Sequence, residues 1–231
     1  SSNVADGTTN VNVGGVCGKS GMLTAGCHAE WTESAHVKIA SDRSNFGGVT
    51  GLTQAESNYA FLVGCYALCN GRVEIEPKNG TDYTANAGGI AGTLANSTIA
   101  GCTVKAKNIY GHNASRPSLI GVSGIAAYVV GVSSVSDCKA YATLIRNSTV
   151  LGTEDASVTP DNLFGMGMIV GIDAGTTTVT NCGVGGSFYL GASEKPQELI
   201  LTLDADSYAK GIIGSGKTAT VGGCYYWNGE E

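Results

Sequence analysis

Three histidines, eight cysteines and a few paired acids are the residues of this 231-residue chain whose types could do chemistry. A zinc-protease helix needs two histidines four apart with a glutamate between them, and His28-Ala29-Glu30-Trp31-Thr32 lacks the second histidine. His36, eight residues from His28, reads as a solvated strand residue, and a structural role is expected for all three histidines. A nucleophile elbow has the form Gly-x-Ser-x-Gly, and Gly121-Val122-Ser123-Gly124 is one residue short of it. The string Gly211-Ile212-Ile213-Gly214-Ser215-Gly216-Lys217-Thr218 matches a phosphate loop formally. That motif needs a helix after it, whereas Ala219-Thr220-Val221-Gly222-Gly223 reads as strand. Polysaccharide cleavage on a β scaffold needs clustered carboxylates, for Ca²⁺ or as an acid/base pair. The closest pairs are Glu74 with Glu76, Glu154 with Asp155, and Asp204 with Asp206. Spacing by two puts Glu74/Glu76 and Asp204/Asp206 each on one face of a strand, the usual pattern of a solvated face.

The eight cysteines fit neither a disulfide framework nor a metal site. Disulfide staples belong to domains too small to build a core, and Cys65 and Cys69 lack a partner pair at zinc-finger spacing. Six of them, Cys27, Cys65, Cys102, Cys138, Cys182 and Cys224, instead follow a recurring turn by 13 to 18 residues. The turns begin at Gly14, Gly47, Gly88, Ser123, Gly167 and Lys210, as in Gly88-Gly89-Ile90-Ala91-Gly92. Each cysteine is therefore expected at the same inward position of its repeat, a small buried hydrophobe in a structural ladder. A disulfide at Cys17 or Cys69 stays open.

The elements that position these residues are strands. Stretches such as Thr177-Thr178-Val179-Thr180-Asn181-Cys182 alternate with period two, and further strand-like pieces follow at Ala35–Ile39, Arg72–Glu76, Tyr141–Ile145 and Leu199–Leu203. Charged residues are only 14% and glycines number 35, which suits an all-β chain with many tight turns. Self-similarity at spacings of 33 to 44 residues marks a repeat architecture. The expected fold is a right-handed parallel β-helix of about six rungs, three parallel sheets of stacked strands ~4.8 Å apart. Glycines would turn its corners through positive φ or close backbone approach. One domain spans 1–231, with 1–12 as an N-terminal cap or trimmed edge and 224–231 as a C-terminal cap. Tyr225-Tyr226-Trp227 is expected to seal that end, with an aromatic sugar platform as the other reading. Loop inserts at Asn79–Ala87, Tyr110–Leu119, Gly152–Asn162 and Gly191–Glu198 should emerge near one corner, where repeat scaffolds often bind.

A net charge of −6 without any basic run argues against a nucleic-acid partner. No apolar stretch approaches the ~20 residues of a membrane-spanning helix. Ser1-Ser2-Asn3-Val4 does not open a signal peptide, so the chain is expected to be cytoplasmic or a processed piece of an exported protein.

The combination Gly-Gly-aliphatic-x-Gly, then x-Thr/Val-x-x-Cys, resembles the GLUG-motif repeats of bacterial (Bacteroidetes-type) cell-surface proteins. The clearest copy pairs Gly88–Gly92 with Thr98-Ile99-Ala100-Gly101-Cys102-Thr103-Val104; the next pairs Gly167–Gly171 with Val179-Thr180-Asn181-Cys182. The second copy departs most, because Cys65 falls late and Cys69 competes for its place. The resemblance implies a β-solenoid segment of an exported or cell-surface protein, with outer-membrane lipoprotein attachment plausible, often adhesin-like. It fixes no binding residues.

The expected function is a non-catalytic adhesin-like module that binds a glycan or a host or neighbouring-cell surface protein, without cofactor or metal. The alternative is a polysaccharide lyase or glycoside hydrolase on the same scaffold. Contact residues are expected among insert side chains: Tyr83, Tyr110, His112 and Arg116, since aromatics and arginine make good anchors.

Overall fold

A computed structural model describes residues 10–41, 43–55, 59–77, 84–113, 119–148, 164–190, 209–216 and 219–230. All regular structure among them is strand, and every paired strand is parallel to its neighbours. The chain winds as a β-solenoid. One rung shows the plan: Thr84–Gly88 lies in sheet 1, Ala91–Ala95 in sheet 2, Ser97–Ala100 in sheet 3 and Thr103–Asn113 in sheet 4. Among the described residues, sheets 1 to 3 hold six strands each, and sheet 4 holds seven.

The repeat read from the sequence stacks residue on residue. Gly14, Gly47, Gly88, Ser123, Gly167 and Lys210 form one in-register column at the end of sheet 1. These glycines serve close approach and not positive φ. A Cβ on Gly88 would lie 2.0 Å from the Ala91 carbonyl oxygen, and one on Gly89 would lie 2.5 Å from Cγ2 of Val104. The turn thus presses into the core against sheet 4, and Ile90, Ile125 and Ile169 fill the space behind it with no exposed surface. Burying each such side chain contributes about 1.5–3 kcal/mol.

Positive φ is used at a different corner. Between sheets 3 and 4 the residue before each repeat cysteine is left-handed: Gly26, Gly64, Gly101, Asp137, Asn181 and Gly223, with φ from 53° to 67°. Glycine, aspartate and asparagine are the residues that enter this region at least cost. The corner turns the cysteines inward. Each Sγ reaches the carbonyl two residues back, as from Cys102 to Ala100 at 3.5 Å. Cys65, Cys102, Cys138 and Cys182 are buried, while Cys27 and Cys224 at the two ends of the ladder are partly exposed. Thiols of adjacent rungs hydrogen-bond to one another along Cys65, Cys102, Cys138, Cys182 and Cys224. Cys65, not Cys69, occupies the ladder; Cys69 lies further along sheet 4, and burial pushes its thiol up to about 12. All eight cysteines are free.

Four sheets, not three, make the coil. Of the pieces read as separate third strands, Arg72–Glu76 and Tyr141–Ile145 lie within the long sheet-4 strands Tyr66–Pro77 and Lys139–Ser148, whose counterparts are Thr103–Asn113 and Gly183–Leu190, while Leu199–Leu203 lies outside the described residues. A register shift between Ala106 and Asn108 bends this sheet. In the first rung the strand is interrupted, and His28–Trp31 and His36–Ser41 both pair with Tyr66–Pro77. At the N-terminus, Asn10–Gly14 is already a sheet-1 strand, so residues 10–12 belong to the coil and not to a cap.

Candidate functional site

In chain order each insert falls between a sheet-4 strand and the following sheet-1 strand; Gly152–Asn162 and Gly191–Glu198 lie outside the described residues, and the other two are partly strand. Tyr110 to Asn113 continues the strand Thr103–Asn113, and Thr84 to Ala87 belongs to the strand Thr84–Gly88. Tyr110 and His112 are therefore sheet residues and not loop residues. Tyr83 and Arg116 lie outside the described residues, as do Glu154, Asp155, Asp204 and Asp206.

Strand alternation aims Tyr110 and His112 outward, because Ile109 between its neighbours Asn108 and Tyr110 points into the core. The same outer face gathers residues from three strands. Cross-strand register sets Lys38 beside Glu74 and Glu74 beside Tyr110, with His36 beside Arg72 and Arg72 beside Asn108. Glu74 is the hub. Its carboxylate accepts a short ion-pair contact from Arg72 Nε through Oε1, while Oε2 faces His36 Nε2 at 3.4 Å and His112 Nε2 at 3.9 Å. The sequence pattern makes Glu74 a solvated acid, yet it is only 5% exposed. Its neighbours cover it, and the Arg72 guanidinium compensates the charge.

The ring of Tyr110 is occupied by this cluster. The Arg72 guanidinium carbon sits 4.3 Å from its centroid, and the His112 ring stacks beside it at 6.1 Å, 15° from parallel. Lys38 pairs with Glu76 at 3.2 Å on the exposed margin. Burial lowers the His112 pKa, opposed by the Glu74 charge. No group of three or more His, Cys, Asp or Glu side chains among the described residues is arranged to hold a metal ion. Here the positive charges of Arg72 and Lys38 also disfavour a cation.

A second cluster lies further along the same face. Trp227 follows Tyr225–Tyr226, the terminal strand of sheet 4. It folds over sheet 4, where Gly183 and Gly185 leave space, with its backbone N–H donating to the Val184 carbonyl at 2.8 Å. Its ring is 8% exposed and meets Tyr141 edge-on at 6.4 Å, and its Nε1 donates to the Glu230 carbonyl at 2.5 Å. Lys105 and Lys139 place their ammonium groups 5.8 and 5.5 Å from the indole centroid. Tyr141 and Tyr225 remain exposed around it, at 41% and 44%.

Sequence reasoning missed Arg72, Glu74, His36, Lys105 and Lys139 as site residues. Their signal was two-residue spacing on successive long strands, which becomes a cluster only once the register across the bulge is known. Sheet 3 is the contrast. One outward row reads Leu23, Phe61, Thr98, Ser134, Thr178 and Thr220, with no charge in it.

Comparison with known proteins adds no label to this face: no family model, no curated protein and no solved structure matches the chain.

Proposed function

We propose that the chain is a non-catalytic, adhesin-like binding module of a bacterial surface or secreted protein, and that it holds a glycan or protein against the outer face of sheet 4. The observation that carries this reading is the segregation of side-chain types around the coil. Lys38, Arg72, Lys105, Lys107 and Lys139 share the sheet-4 strands with Tyr66, Tyr110, Tyr141 and Tyr225, while the aligned outward row of sheet 3 is uncharged. Aromatic rings and cations are the side chains that anchor recognition surfaces. The resemblance to GLUG-type repeats supports placement at a cell surface.

Among the described residues, the Glu74/Glu76 pair favours binding over cleavage. A glycosidase needs one carboxyl free to protonate and a second free to attack or to activate water. Glu74 is committed to Arg72 and the two histidines, and Glu76 to Lys38. The test is a glycan panel with product analysis. Retention of intact oligosaccharides, weakened by Tyr141→Ala and Tyr225→Ala, is the expected result. Release of shortened or unsaturated products by the chain alone would overturn the binding-only reading in favour of a polysaccharide-cleaving enzyme.

A further inference from the structure

Resting on the reading of sheet 4 as a glycan-binding face, we propose that its Trp227 end carries a subsite for the anionic group of a polysaccharide, formed by Lys105 and Lys139 with Tyr141 and Tyr225 beside them.

The cations of this face differ in how they are compensated. Lys38 pairs with Glu76, Lys107 with Glu33 and Arg72 with Glu74. Lys105 and Lys139 have no carboxylate within ion-pair distance among the described residues. They are also close to each other. Register pairs Lys105 with Tyr141 and Thr103 with Lys139, so the two lysines are diagonal neighbours on adjacent strands, and both turn toward one indole. The ring attracts each cation through its face, but it does not remove their mutual repulsion. An anion bound between them does.

The indole is fixed before any ligand arrives. Its strand-like backbone bond to Val184 and its Nε1 bond to the Glu230 carbonyl hold the ring, and bare Gly185 lets the Trp227 main chain approach, since a Cβ there would lie 1.9 Å from the Trp227 carbonyl oxygen. Holding the two ammonium groups on a fixed ring lowers the ordering cost of binding.

The exposed rings select the rest of the ligand. Tyr141 and Tyr225 stand next to the lysines with about two-fifths of their surface open, and such rings stack on the C–H faces of sugars. Two positive charges on a chain of net charge −6 suit a polymer with isolated carboxylates or sulfates better than a dense polyphosphate. The shared chemistry is an anionic group on a sugar ring, either uronate or sulfate ester.

Binding of the full chain to polygalacturonate, dextran sulfate and neutral dextran, measured by biolayer interferometry, tests this. The charged polymers should bind in preference to dextran, and the affinity should fall as NaCl rises from about 50 to about 300 mM. Whichever charged polymer binds more tightly tells carboxylate from sulfate. K105Q/K139Q should weaken that binding roughly tenfold, about 1.4 kcal/mol, since exposed charge contacts are each weak. K105R/K139R keeps the charges and should retain the binding, and matching melting temperatures exclude misfolding as the cause. K105Q/K139Q binding as tightly as the parent would overturn the subsite. If neutral glycans bind and charged ones do not, the subsite fails while the glycan-binding reading stands. If no glycan of either kind binds, both fail.

Discussion

Arg72 and Tyr110 are in face-to-cation contact at 4.3 Å although they are not register partners: Asn108 faces Arg72, and Tyr110 faces Glu74. The contact is diagonal, and the same guanidinium holds the buried Glu74 carboxylate through Nε. Arg72→Met keeps the aliphatic stem and removes the charge. It should destabilise the chain by about 2–3 kcal/mol, because a carboxylate that stays buried loses its main partner. Urea denaturation at pH 7.5 measures this. Arg72→Met, Glu74→Leu should recover part of the loss, because the buried charge goes with its partner. A double variant less stable than the single one would show that Glu74 supports the sheet by itself.

His112 gives this cluster a pH dependence. Burial lowers its pKa below the ordinary value, the Glu74 and Glu76 charges work against that lowering, and Lys38 and Arg72 reinforce it. The unfolded chain therefore takes up a proton on this imidazole at a higher pH than the folded chain. Stability from this group is fully present above the unfolded value of about 6.5 and is lost as the pH falls from there through the folded value. Denaturation midpoints at pH 7.5 and pH 5 should differ more for the parent than for His112→Gln. Glu74→Gln removes the main opposing charge, so the imidazole should titrate at a still lower pH, read from its NMR ring-proton shifts.

The glycine-turn column was legible because its cause is local. A side chain at Gly48 or Gly89 collides with backbone one rung away, so the same residue type must recur wherever the turn recurs. The cysteine ladder was legible for the same reason. The fourth sheet was not. Strands such as Tyr66–Pro77 continue through a bulge that looks, in one dimension, like the end of one element and the start of another. The site depends on that bulge. Tyr110 comes opposite Glu74 only after the register has slipped between Ala106 and Asn108. The Trp227 main chain packs on bare Gly185, a relation between rungs that no single repeat displays.

The two kinds of glycine predict different costs for the same substitution. A Cβ on Gly89 would lie 2.2 Å from the Gly124 carbonyl oxygen and 2.5 Å from Val104 Cγ2, so Gly89→Ala should cost several kcal/mol or abolish folding. Gly101 has φ +61°, and the nearest atom to its Cβ would be 3.9 Å away. There the cost is conformational alone, about 1–2 kcal/mol for alanine. Gly101→Asn should cost less than Gly101→Ala, because Asn181 already adopts φ 55° at the equivalent corner. Thermal melts of the three variants rank these costs. Equal losses at Gly89 and Gly101 would contradict the distinction between close approach and left-handed backbone.

The thiol ladder predicts an order of chemical reactivity. Alkylation requires an accessible thiolate. Burial, the leading effect at both positions, drives Cys65 up to about 11 and Cys69 to about 12, and hydrogen bonds to Cys102 and Cys182, together with burial, hold Cys138 well above its usual value. Cys17, Cys27 and Cys224 are partly exposed, so iodoacetamide at pH 8 should modify these three first. Cys65, Cys69, Cys102, Cys138 and Cys182 should react only when denaturant opens the coil, with the peptides identified by mass spectrometry. Because all eight thiols are free, dithiothreitol should leave the melting temperature unchanged. A drop on reduction would mean that a disulfide stabilises the chain, and the ladder would then act as a staple between rungs instead of a packed column of thiols.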